Sequence, residues 1–125
     1  MPMRYERDDA RRRVVVTMEG PFAMTEFLAV MERQRCDNSW AYGILYDLSS
    51  MTGEPTIAEL RQSLIHTART HRLRGPIAIL ATDPVIYDRV CSYAALGRST
   101  LPVKVFRKWD EADQWLTTKL HGERR

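Results

Sequence analysis

Two short stretches limit the fold more than anything else in this chain. Gly43 to Leu48 (GILYDL) and Ile77 to Ala81 (IAILA) are apolar runs in which Asp47 is the one charge. A strand with one wet face alternates apolar and polar residues, whereas a run without alternation must be covered on both sides. Such strands belong to sheets layered with helices, and parallel neighbours are joined by crossovers of a dozen or more residues.

The rest of the chain supplies those crossovers. Arg4 to Arg7 reads as a polar edge strand, Asp8-Asp9-Ala10 as a turn, and Arg11 to Glu19 (RRRVVVTME) as a β-branched strand, together an antiparallel hairpin. Gly20-Pro21 closes it. A helix is expected from Thr25 to about Arg35, with Phe27, Leu28 and Met31 on one face and Asp37-Asn38-Ser39 as its breaker. Thr56 and Glu59 match a capping box, in which the Thr hydroxyl and the Glu carboxylate each accept from a free backbone N–H of the first turn. Ile57, Leu60, Leu64 and Ala68 continue that helix as a stripe, and Gly75-Pro76 ends it. Asp83-Pro84 has the cap-then-proline order of another helix start, running to about Leu96 with Gly97 past its end. Val103 to Phe106 (VKVF) is the last strand, and Asp110 is expected to cap a final helix carrying Ala112, Trp115 and Leu116. The predicted order is ββαβαβαβα: one α/β domain over residues 1–125, with a mixed, mostly parallel five-stranded sheet and four helices.

Composition narrows the function classes. Apolar residues make up 44% and charged residues 28% of the 125, so the chain has enough core-forming residues to escape disorder. No apolar run approaches the roughly 20 residues that span a bilayer. Met1 to Arg13 carries charges of both signs and no apolar stretch, so neither a leader nor membrane insertion is expected, and the cytoplasm is the expected compartment. The net charge of +3 comes partly from the terminal Arg124-Arg125 pair, and no basic stripe with interleaved aromatics is present, so nucleic acid is not an expected partner. Cys36 and Cys91 belong to no CxxC or Cys/His cluster and read as buried or half-buried free thiols. His66 and His71, five apart, project about 140° from each other on a helix, which suits no shared metal. Neither a metal nor a cofactor is expected.

Several stretches taken together resemble the SpoIIAA-like fold, shared by STAS domains and by lipid-binding SEC14-type domains. They are YDLSS (Tyr46 to Ser50), Gly75 to Pro84, and Pro102 to Arg107 followed by Asp110 to Leu116. In STAS domains that antagonise anti-sigma factors, a serine near the start of the helix after the DLS strand is phosphorylated. The resemblance places the matching position near Thr56, as a candidate phospho-switch. This chain has Gly53-Glu54-Pro55-Thr56 where that family has Asp-Ser-Ser-Gly, and a helix N-cap accounts for Thr56 without any switch.

Other candidates follow from position. Asp47, Ser49 and Ser50 sit at the carboxyl end of a central strand, where open α/β sheets place ligands. Asp47 also suits holding the following turn. No G-x-S-x-G elbow and no Gly-rich phosphate loop accompanies them, so no enzyme is expected. Trp40, Tyr42, Tyr87, Tyr93, Met24, Met31 and Met51 are expected mainly as packing residues. Ile86 and Tyr87, if outward on their helix, form a candidate interaction face. The leading expectation is a non-enzymatic regulatory or protein-interaction module with a protein partner, a homodimer being one option. The alternative is a binder or carrier of a small apolar molecule, which needs a cavity of about 300 Å³ or more.

Overall fold

The computed structural model describes residues 3–21, 23–53, 56, 58–59, 61–62, 75–97 and 103–122. Its elements are β1 (Met3–Asp8), β2 (Arg13–Gly20), α1 (Met24–Cys36), β3 (Gly43–Met51), β4 (Ile77–Leu80), α2 (Pro84–Gly97), β5 (Val103–Phe106) and α3 (Trp109–Gly122). The five strands form one mixed sheet in the order β1-β2-β3-β4-β5. β1 and β2 are antiparallel, while β2/β3, β3/β4 and β4/β5 are parallel. The helix expected between Thr56 and Arg74, with His66, His71 and the Ile57/Leu60/Leu64/Ala68 stripe, lies largely outside the described residues. Its start is described: the Thr56 N–H donates to Glu59 Oε1 at 2.9 Å, and the Glu59 N–H donates to Thr56 Oγ1 at 3.1 Å.

The unalternating runs are covered on both sides, as their composition requires. Ile44 and Leu45 are fully buried although adjacent residues of a strand face opposite ways. On one face Val14, Val16 and Met18 of β2, Ile44, Tyr46 and Leu48 of β3, and Ile77 and Ile79 of β4 form the larger core. Val30 of α1 and Ile86, Val90 and Tyr93 of α2 complete it. On the other face Leu45, Ala78, Leu80 and Phe106 meet Ala112 and Leu116 of α3. Two described helices thus serve one face, and a single helix serves part of the other.

Several boundaries differ from expectation for local reasons. The first turn spans residues 9–12, and β2 starts at Arg13 rather than Arg11. Arg12 has φ 55°, a left-handed conformation that cannot continue an extended strand. β3 runs on to Met51, because β2 keeps pairing with it through Glu19↔Ser50 and Gly20↔Met51 after a register shift. Asp110 does not cap the last helix. α3 begins at Trp109, and Asp110 and Glu111 sit in its first turn, where their charge still suits the positive end of the helix dipole. Asp83 does cap α2, accepting from the N–H groups of Val85 at 2.9 Å and Ile86 at 3.2 Å. Cys36 is exposed rather than buried, and Cys91 is half-buried.

Two further features hold the layers together. The Arg13 side chain is only 4% exposed; its guanidinium donates to Asp113 Oδ1 and, at 2.9 Å, to Thr117 Oγ1, tying α3 to the start of β2. Gly75 is pressed against the segment before β3. A Cβ there would lie 2.7 Å from the Tyr42 carbonyl carbon and closer still to the carbonyl oxygens of Ala41 and Tyr42. Only glycine admits that approach.

Candidate functional site

The sequence candidates gather at the rim where the parallel strands end. Asp47 is half-buried there and Ser49 exposed. Asp47 Oδ1 accepts from the Ser49 N–H at 3.0 Å and from the Ser49 hydroxyl at 2.6 Å, so the carboxylate shapes its own turn. Ser50 is exposed and pairs along the backbone with Glu19, and the Thr52 N–H donates to the Gly20 carbonyl at 2.9 Å. Thr56 is exposed and engaged in the reciprocal capping box with Glu59. The strand end thus brings Asp47 and Ser49 together, and its hydrogen bonds keep Thr56 in a separate motif with Glu59. Asp47 and Ser49 form a donor–acceptor pair with no described histidine against it, and nothing in that geometry activates the serine as a nucleophile.

The expected face on α2 divides. Ile86 is 3% exposed and belongs to the core, because positions 86, 90 and 93 form the stripe that faces the sheet. It cannot serve an outer surface. Tyr87 is half-buried, with the Arg107 guanidinium 4.2 Å from its ring centroid. Its hydrogen bond with the Cys91 thiol, one turn on, holds its hydroxyl above the ordinary tyrosine range. The outward apolar residues of this rim are instead Val85 and Trp109, at the first turns of α2 and α3.

A denser polar cluster, not anticipated from sequence, occupies the opposite rim where the parallel strands begin. The Tyr5 hydroxyl donates to Asp37 Oδ2 at 2.9 Å and lies 3.1 Å from Ser39 Oγ. Asp37 Oδ1 accepts from the Ser39 N–H at 3.1 Å and from its hydroxyl at 2.5 Å. Arg7 donates to the Asp37 carbonyl and to Asp9 Oδ1, both at 2.6 Å, and the Tyr42 hydroxyl donates to Asp9 Oδ1 at 2.7 Å. The buried Gln34 amide donates to the Ser39 carbonyl at 3.0 Å. Arg33 stacks 4.0 Å from the Tyr5 ring centroid. Burial pushes the Asp37 carboxyl up, but the hydrogen bonds from Ser39 and Tyr5 outweigh it and hold the group below the ordinary carboxylate range. Burial, with Asp37 beside it, pushes the Tyr5 hydroxyl up. The Asp37-Asn38-Ser39 spacing was the available signal, but only the fold brings Tyr5 and Arg7 to it.

Among the described residues no group of three His, Cys, Asp or Glu side chains could hold a metal, and no helix is long and apolar enough to cross a membrane. No protein-family model matches the chain, and no characterised protein matches it in sequence. Solved structures do match it. One is an uncharacterised DUF3478-family protein with a SpoIIAA-like fold from Shewanella loihica, 13% identical, covering 91% of each chain with a TM-score of 0.61. Another is an anti-sigma factor antagonist from Mycobacterium paratuberculosis, 16% identical, covering 91% of this chain and 93% of that one with a TM-score of 0.58. The protein has a SpoIIAA-like fold, as its strand-end motifs implied.

Proposed function

We propose that the protein is a regulatory protein-interaction module that engages its partner through the end of β3 and the capped turn after it. One observation carries the reading: nearly the whole chain superposes on an anti-sigma factor antagonist. The site geometry supports it, since Ser49, Ser50, Thr52 and Thr56 are all exposed on that rim. Its polar groups are occupied by local turns and caps rather than arranged for bond making. The reading also assigns a fourth helix to the chain after the capping box, and a cytoplasmic setting. The capping box accounts for Thr56 without a phosphoryl group, and a phosphate dianion there faces the Glu59 carboxylate, a like-charge contact. No observation among the described residues favours the apolar-carrier alternative.

The test starts with affinity capture from the native host, followed by calorimetry with the purified partner. Ser49→Arg/Ser50→Arg should weaken that binding by about tenfold or more, while Arg35→Ala on α1 leaves it unchanged. Equal affinity for the double variant defeats the reading, as does reproducible turnover in a substrate screen.

A further inference from the structure

The sheet has two edges, and they are built differently. β5 is four residues long, exposes Lys104, and has both α2 and α3 packed against it. A short strand with an exposed lysine is a common way to blunt an edge. β1 has none of these guards. It is six residues long, contains neither Pro nor Lys, and pairs with β2 residue for residue from Met3↔Met18 to Asp8↔Arg13 without a bulge. Among the described residues β2 is the element its backbone packs against, so its outer N–H and C=O groups form an open edge.

Charges protect such an edge only when they repel a second copy. Arg4 and Glu6 lie opposite Thr17 and Val15 on the sheet face away from α1 and α2, with side chains 69% and 62% exposed. Their own separation of 3.9 Å is a loose surface contact that gives little stability and is readily exchanged. A two-fold axis that pairs a strand antiparallel with its own copy passes through a directly opposed pair of identical residues. Centring on Arg4 sets Arg4 against Arg4, and centring on Glu6 sets Glu6 against Glu6. Centring on Tyr5 sets each Arg4 against the second copy's Glu6, so both charged pairs are of opposite sign, with Met3 opposite Arg7. Opposed cross-strand ion pairs favour a register and like charges oppose it.

The geometry points to β1 as a self-association edge: a second copy of this chain adds its own β1 antiparallel about Tyr5, making one continuous sheet across the dimer. This goes beyond the partner-binding reading and does not depend on it, since it uses the opposite edge from β5 and no residue of the β3 rim.

Sedimentation velocity on the full chain across a concentration series tests it. The wild type should show a reversible monomer–dimer equilibrium. Arg4→Glu and Glu6→Arg should each weaken the dimer by about tenfold or more, because each sets like charges opposite one another twice. The double variant Arg4→Glu/Glu6→Arg should recover wild-type dimerisation, and mixing the two single variants should give a heterodimer. Circular dichroism melts check that each variant is folded; these exposed positions are expected to leave the melt within a few degrees of wild type. A wild type that stays monomeric overturns the inference. So does a dimer indifferent to the single reversals, or one that the double reversal and the mixture fail to restore.

Discussion

Asp37 and Asp47 stand at the same place in the same local motif, an aspartate two residues ahead of a serine, yet they end in different roles. Each carboxylate accepts from its serine's N–H and hydroxyl. At Asp37 the second oxygen also accepts from the Tyr5 hydroxyl, Arg7 approaches to 3.6 Å, and Ser39 is fully buried. At Asp47 the motif stops with itself, and Ser49 stays exposed. One rim of the sheet is locked by long-range polar contacts, and the other is left open. A shared backbone habit thus serves rigidity where burial removes competing water, and accessibility where it does not.

The difference between the rims can be pushed hardest at Gly75, where β4 meets the locked rim. Gly75→Ala forces a Cβ into the carbonyl groups of Ala41 and Tyr42 and should cost about 3 kcal/mol, read as a fall in the urea midpoint at unchanged slope. A loss below about 1 kcal/mol means the segments do not press together there.

Next in size is the aspartate pair itself. Asp37→Ala strands the Tyr5 and Ser39 donors and should cost about 2 kcal/mol, whereas Asp47→Ala should stay within about 0.5 kcal/mol. Comparable losses would erase the distinction between the rims.

The pH dependence sharpens the same point. The Asp37 carboxyl is held below its ordinary range, so its ionised form stabilises the fold above about pH 4, and that contribution is lost as the pH falls further. The Tyr5 hydroxyl is pushed up, so its neutral form stabilises the fold below about pH 10, and that contribution is lost as the pH rises through its raised value. Tyr5→Phe should therefore flatten the alkaline limb of a stability–pH profile, and Asp37→Asn the acid limb. Unchanged limbs in both variants would show that the titrating groups lie elsewhere. On the open rim, Thr56→Ala removes one cap and should cost about 1 kcal/mol, less than the loss at Asp37 and seen as a modest drop in melting temperature.

Much of the architecture was legible because it rests on near-neighbour patterns. The unalternating runs at β3 and β4 announced two covered faces, VKVF marked β5 at its observed limits, and Asp83-Pro84 announced α2. Legibility failed where a distant residue set the outcome. The orientation of Ile86 depends on which face of α2 meets the sheet, and that face buries it. β3 extends past its apolar run because its last residues are kept in the sheet by Glu19 and Gly20 of β2. Arg13 is the last of three consecutive arginines, yet it alone of the three is buried, because α3 brings Asp113 and Thr117 to it.

Local chemistry by itself determined the order of the described strands and helices, the capping motifs at Thr56 and Asp83, and the need for helices on both sides of the sheet. Those follow from backbone hydrogen bonding and side-chain alternation, which act within a few residues. Tertiary structure alone decided which D-x-S turn became a locked rim, which arginine became an anchor, and which strand, among the described residues, was left as an open edge. Each of those depends on the water displaced and the partners delivered by segments up to about a hundred positions away, as Arg13 and Asp113 are.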